Sequence, residues 1–182
     1  MVFANTARKM VGARLNRHIS SMTDQQQTVH EVMSLLAPSM AADGPVHQVA
    51  TRFVQTYSLT RVDPDFHELF AETVEVWHSF DHETVSLSGG EFAGAMVRML
   101  RAAKDVVCGH CDRIWSLTVD HGGFALAATA SGELEDDTPV RISRCLLVTV
   151  RDGRITRIDE FGDQRQRTPL DEALRAAGRF RS

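Results

Sequence analysis

Residues 138–163, TPVRISRCLLVTVRDGRITRIDEFGD, constrain the fold more than any other stretch, because they read as two long strands folded back around one tight turn. Val140, Ile142, Leu146, Val148 and Val150 recur at every second position and only Arg144 breaks the apolar series, which is the period of a strand with one face on a core. Asp152-Gly153 supplies the turn, since both central residues of a type I′ hairpin turn need positive φ and this dipeptide tolerates it.

Upstream, Val49, Ala50, Phe53, Val54 and Tyr57 sit three and four apart and predict a helix from Val46 onward. Asp63-Pro64 predicts a second helix, with Asp63 as N-cap, Pro64 at the first helical position and Phe66, Leu69 and Phe70 buried. Residues 74–78 alternate and predict the first strand, 79–90 a loop, and 91–103 a helix burying Phe92, Met96, Met99 and Leu100. Residues 106–120 and 124–135 predict two more strands about His121-Gly122-Gly123. Thr168-Pro169-Leu170-Asp171 announces a final helix, which Gly178 ends. This order predicts an α+β fold, a curved antiparallel sheet wrapped around helices. Residues 46–182 form that domain. Residues 1–45 are expected to be an extension, partly disordered, with a short helix over 25–37; the basic stretch 1–23 is read as an upstream start or an unfolded tail rather than a transit segment.

The helix around RFVQTY, the segment DPDFHELFAETVEVWHSFD, the helix EFAGAMVRMLRAA and the closing VRDGRITRIDEFGD together resemble the nuclear transport factor two-like superfamily, in particular its SnoaL-like branch of polyketide-cyclase-like and ketosteroid-isomerase-like domains. The resemblance covers residues 46–175 and implies a cone-shaped sheet enclosing a pocket for a small, mostly apolar ligand. Such folds host isomerases, dehydratases, cyclases, epoxide hydrolases and plain binding modules, so the fold does not choose the function.

With 182 residues, 43% hydrophobic, and a net charge of −4, the chain suits one ordinary domain and nothing in it points to nucleic acid. No apolar run reaches the ~18 residues of a membrane span, no secretory signal is visible, and a cytoplasmic location is expected. Cys108, Cys111 and Cys145 are too few for a disulfide scaffold. Cys108-Gly109-His110-Cys111 spells a redox tetrapeptide, but that chemistry wants the first cysteine at a helix N-terminus, and here a strand pattern follows. His110 and His121 read as surface or turn residues.

An ionisable group on an otherwise apolar strand face is the signal to seek in such a cone. His78 shares its face with Val74 and Val76, and Asp81 follows it by three residues. Eight residues after Phe70, His78 falls at the general-base position that the ketosteroid-isomerase resemblance implies. It equally fits a strand-end histidine bonded to Asp81 or to backbone. Glu160 lies on the face of Ile158, where the resemblance to epoxide hydrolases implies a catalytic carboxylate, and Arg144 fits either an anion-stabilising group or an ion pair with Glu160. The expected catalytic set is therefore His78, Asp81 and Glu160, with Trp77, Tyr57, Phe53, Thr129 and Arg144 contacting the ligand. The isomerase's tyrosine position falls near Phe53 or Val54, a turn before Tyr57, and residues 126–131, comparable to the stretch where epoxide hydrolases carry an Arg and an Asp, are small and nearly apolar.

These residues predict cofactor-free, metal-free acid/base chemistry (cyclisation, isomerisation or dehydration) on a polyketide- or terpenoid-like molecule, with a non-catalytic binding or scaffold module as the alternative. A homodimer is also expected, because Arg141, Ser143, Cys145, Leu147 and Thr149 make an outer strand face too mixed for solvent. Sedimentation at micromolar concentration should return a dimer mass, and a monomer would count against this reading.

Overall fold

The computed structural model describes residues 44–58 and 63–179; the helix expected over 25–37 lies outside the described residues. Helix α1, Pro45–Tyr57, begins with proline in its first turn and buries Val49, Ala50, Phe53, Val54, Thr56 and Tyr57 on one face. The turn Phe66–Leu69 is 3₁₀, and it leads into β1, Phe70–His78. There follow β2 (Thr84–Ser88), α2 (Gly89–Val106), β3 (Cys108–Val119), β4 (Gly123–Glu133), β5 (Pro139–Arg151), β6 (Arg154–Gly162) and α3 (Gln164–Ala176). The strands form one curved, unclosed sheet in the order β2-β1-β6-β5-β4-β3, with the helices packed on its inner face.

Four features differ from the sequence reading. The sheet is mixed, since β1 runs parallel to β6 while every other pair is antiparallel. One helix and four strands separate β1 from β6 along the chain, a connection long enough to permit parallel pairing. The helix expected from Asp63 is a single 3₁₀ turn, because Phe70 already pairs with Ile155 in the sheet; Asp63 still ties this corner together, accepting from Arg52 Nε at 2.6 Å and from the Asp65 amide at 2.9 Å. The expected loop 79–90 contains β2. Finally, α3 starts at Gln164 on an Asp163 cap that accepts from the Arg165 amide at 2.9 Å, so Pro169 lies inside the helix rather than opening it.

The β5–β6 hairpin forms as expected, with φ of 50° at Asp152 and 72° at Gly153. In β3, residues 114 and 116 face 128 and 127 of β4, so Trp115 is an extra residue in the ladder, a β-bulge. Before it, His110, Asp112 and Ile114 point inward; beyond it, Leu117 and Val119 pack on the core. The bulge reverses which residues of β3 face inside.

Two apolar clusters fill the inner face. The larger is threaded by aromatic rings: Phe53 meets Phe124 at 5.4 Å, Phe66 meets Phe70 at 5.2 Å and Phe70 meets Phe92 at 5.3 Å, linking α1, the 3₁₀ turn, β1, β4 and α2. The smaller joins Ala103 and Val107 to Ala130, Val140 and Ile142 and receives Leu170 and Leu174 of α3. Helix α2 opens with Ser88 and Glu91 bonding each other, the Ser88 hydroxyl also accepting from the Glu91 amide. Its first residue, Gly89, lies so close to β1 that a Cβ there would stand 2.1 Å from the Ala71 carbonyl and 2.8 Å from the Phe70 Cβ.

Because the clash at Gly89 is with backbone, Gly89→Ala should force α2 away from β1 and lower unfolding free energy by about 1–3 kcal/mol. Gly90, with open space around it, is the control. Denaturant titration of Gly89→Ala and Gly90→Ala checks this; equal stabilities would mean that α2 does not need the close approach.

Candidate functional site

A row of polar side chains crosses the inner face between the two apolar clusters. Arg144 lies on β5 between Ile142 of the smaller cluster and Leu146 of the larger one. Its partner across β4 is Ala128, and Asp112 of β3 stands opposite Ala130. Those two alanines leave room above β4, and Arg144 Nη2 reaches Asp112 Oδ1 at 3.5 Å over them. The Tyr57 ring from α1 lies under the guanidinium, 5.0 Å from its carbon, and His110 Nε2 is 3.7 Å from Asp112 Oδ2.

On β6, Glu160 is in register with Leu146 on one side and His78 of β1 on the other. His78 Nε2 is 3.7 Å from Glu160 Oε2, and its Nδ1 is 3.9 Å from Asp81 Oδ2. Both separations exceed a hydrogen bond. The imidazole is flanked by two carboxylates without being bonded to either, and it stacks on Phe80 with ring centres 4.8 Å apart.

Four buried polar atoms in this row have no hydrogen-bond partner among the described residues: the Tyr57 hydroxyl, both Asp112 carboxylate oxygens and Arg144 Nε. Asp112 is the most enclosed, with its side chain 1% exposed. Burial raises the pKa of the Tyr57 phenol, against the opposing pull of the Arg144 charge, so it is a hydroxyl donor at neutral pH. Burial alone would lower the Arg144 pKa, but Tyr57, Asp112 and Glu160 outweigh it and hold the guanidinium charged. His110 shifts the other way. Burial lowers its pKa below the usual value despite Asp112, with Arg144 and Lys104 adding to the effect.

Of the residues singled out in the sequence, the fold brings His78, Glu160, Asp81, Arg144 and Tyr57 to this one face. Arg144 pairs with Asp112, not with Glu160, because Asp112 is the acid facing it across the alanines. Phe53 is fully buried among Tyr57, Phe66 and Phe124 and belongs to the core. Trp77 and Thr129 lie on the opposite face of the sheet. Trp77 packs on Phe161 at 5.2 Å. Thr129 accepts from Trp115 Nε1 at 2.8 Å and meets Ser143 at 3.1 Å beside an open groove of about 460 Å³. His110, read as a surface or turn residue, is buried, and Asp112 was not singled out at all. Strict alternation through Trp115, Leu117 and Val119 turns both outward; the bulge turns them in. Cys108, Cys111 and Cys145 form no disulfide, and Cys108 lies in a strand, exposed, as the pattern after the tetrapeptide implied.

His110 makes stability pH-dependent with a definite sign. Its folded pKa is below its unfolded value, so the unfolded chain takes up the proton first as pH falls, and stability present at neutral pH is lost below about 6.5. Denaturant unfolding between pH 7.5 and 5.5 should show a steeper loss for the wild type than for His110→Gln, by up to about 1.4 kcal/mol per pH unit for the one proton. Parallel curves would remove His110 as the cause.

No family model matches the chain, and no curated protein matches it significantly. Solved structures do. A putative polyketide cyclase from Acidithiobacillus ferrooxidans superposes with a TM-score of 0.52 at 16% identity, covering 72% of this chain and 97% of that one. PrhC from Penicillium brasilianum gives 0.51 at 15%, covering 74% and 93%. An epoxide hydrolase of M. tuberculosis, described as LEH-like, gives 0.50 at 18%, covering 73% and 93%. At these identities the likeness is one of fold: the chain shares the α+β cone of these structures.

Proposed function

We propose that the inner face of the cone binds a small, mostly apolar molecule and carries out cofactor-free acid/base chemistry on it: cyclisation, isomerisation or dehydration of a polyketide- or terpenoid-like substrate. The observation that carries this reading is the set of four enclosed polar atoms on Tyr57, Asp112 and Arg144 that make no hydrogen bond among the described residues, the Arg144–Asp112 ion pair being too long to count as one. Each such atom costs about 1–3 kcal/mol when nothing bonds it. Three touching side chains that share the deficit at a seam between apolar clusters are arranged for a ligand that supplies the missing bonds.

The roles follow from the donor inventory. The Tyr57 hydroxyl and Arg144 Nε donate, and both suit an oxygen on which negative charge develops. Asp112 accepts, and it fixes the guanidinium. His78 is the proton acceptor at the edge of the row, with Glu160 and Asp81 placed to stabilise the imidazolium that forms. The likeness of fold to structures described as a polyketide cyclase and an epoxide hydrolase is in keeping with this chemistry.

The test begins with mass spectrometry of small molecules that co-purify with the protein, followed by turnover of the identified compound. His78→Ala should slow turnover about 10²–10⁴-fold while leaving melting temperature and ligand affinity nearly unchanged. Arg144→Gln should weaken binding as well. Saturable binding with no product would make the protein a binding module, and full activity in a stable His78→Ala protein would take His78 out of the mechanism and leave Glu160 as the base.

A further inference from the structure

Beside His78 the inner face is bordered by a second, smaller cleft of about 150 Å³, lined by Phe80, Gln164, Arg167, Asp171 and Arg175. Asp171 is nearly enclosed, its side chain 11% exposed, and both its oxygens are used: Oδ1 accepts from Arg167 Nε at 3.1 Å and Oδ2 from Gln164 Nε2 at 3.3 Å. An acid in that position orients the arginine rather than occupying it. The two terminal nitrogens of Arg167 keep their hydrogens free of any partner among the described residues, and Arg175 completes the cleft from about two turns further along α3, with no ion pair among them. The cleft therefore holds two guanidinium charges against a single carboxylate that is already committed.

Its remaining wall is aromatic. The Phe80 ring is shared between the two sites, with the Arg167 guanidinium carbon 5.9 Å from its centre and the His78 imidazole stacked on it at 4.8 Å. Arg167 also lies close enough for its charge to act on the Tyr57 hydroxyl. A group held at Arg167 would thus lie against the same ring as the proposed proton acceptor.

We infer that this cleft is a carboxylate subsite: Arg167 receives the acid through its terminal nitrogens, Arg175 adds the second charge, and Phe80 covers the adjoining apolar carbons. A guanidinium whose Nε is fixed by a buried acid presents its outer edge as a ready-made fork for a carboxylate. The cleft has room for a carboxylate and a few carbons, so the rest of a larger molecule would extend past Phe80 towards His78. Resting on the function proposed above, this makes the substrate an apolar carboxylic acid, held by its acid end at α3 while its reacting carbons lie on the polar row.

Phenylacetate and 2-phenylethanol test the subsite without any knowledge of the substrate, since they share a ring and differ in the acid. In the full-length protein at pH 7, side-chain NMR shifts of Phe80 and Arg167 should titrate with phenylacetate, and the alcohol should bind about tenfold more weakly or worse, the loss of one charge-assisted contact. Arg167→Gln should abolish that preference, Arg167→Lys should keep part of it, and the exposed Arg175→Gln, which leaves the Asp171 pair intact, should reduce it. Equal binding of acid and alcohol, no acid binding to the wild type, or an undiminished preference in both glutamine variants would overturn the subsite. Turnover assays on His78→Ala address the catalytic reading separately, so a catalytic cone that ignores the acid group would be recognised as such.

Discussion

The contact between Arg144 and Asp112 sets the terms for the interior of this protein. At 3.5 Å and an effective dielectric near 20, their attraction is worth about 5 kcal/mol. Removing two charges from water costs several kcal/mol per ion, so the pair contributes little net stability. Breaking it is another matter, since it would strand a charge and cost about 3–5 kcal/mol. The sheet is accordingly built to keep the pair together. Ala128 and Ala130 clear the strand between the partners, and Tyr57 closes over the guanidinium.

That requirement explains the β3 bulge. Without the extra residue at Trp115, one continuous alternation would have to put either Ile114 and Asp112 or Leu117 and Val119 on the inner face, and the cone needs both sets. The bulge gives the lower half of β3 to the polar row and the upper half to the apolar cluster. It also leaves Trp115 50% exposed on the outer face, with Arg113 stacked on its ring at 4.2 Å. A Gly109 φ of 66° and a second register shift between Cys108 and Cys111 let the strand start its pairing with β4 before that point.

What the sequence made legible follows the same division. The β5–β6 hairpin could be read because the inner residues of β5 recur at every second position from Val140 to Val150 and Asp152-Gly153 suits a type I′ turn. His78, Glu160 and Arg144 could be placed on one face because each interrupts or extends an apolar series whose parity holds to the end. Asp112 and His110 could not, since a bulge leaves no mark in a period-two pattern. Strand β2 escaped for a different reason: it is an edge strand with only Val85 and Leu87 apolar, and Val85 is itself exposed. Thr168-Pro169 looked like a helix start because proline suits a first turn, yet Asp163, five residues earlier, had already capped the helix.

The position of the polar row between two clusters also decides which part of the fold governs it. The larger cluster ties α1, α2 and β1 to the sheet through stacked rings, and substitutions of those rings would cost about 3–5 kcal/mol each. The smaller is made of alanines, valines, one isoleucine and the two leucines of α3. Helix α3 is therefore held by Leu170 and Leu174, the Asp163 cap and Gln166, whose side-chain oxygen accepts from the Ser143 amide at 2.8 Å at the end of the β5–β6 ladder. It is the more lightly attached wall of the site, and it is also the wall that carries Arg167. Rigid aromatic packing fixes Tyr57 from one side while a helix on a modest apolar footing presents its charges from the other. The two sides meet at Phe80 and His78.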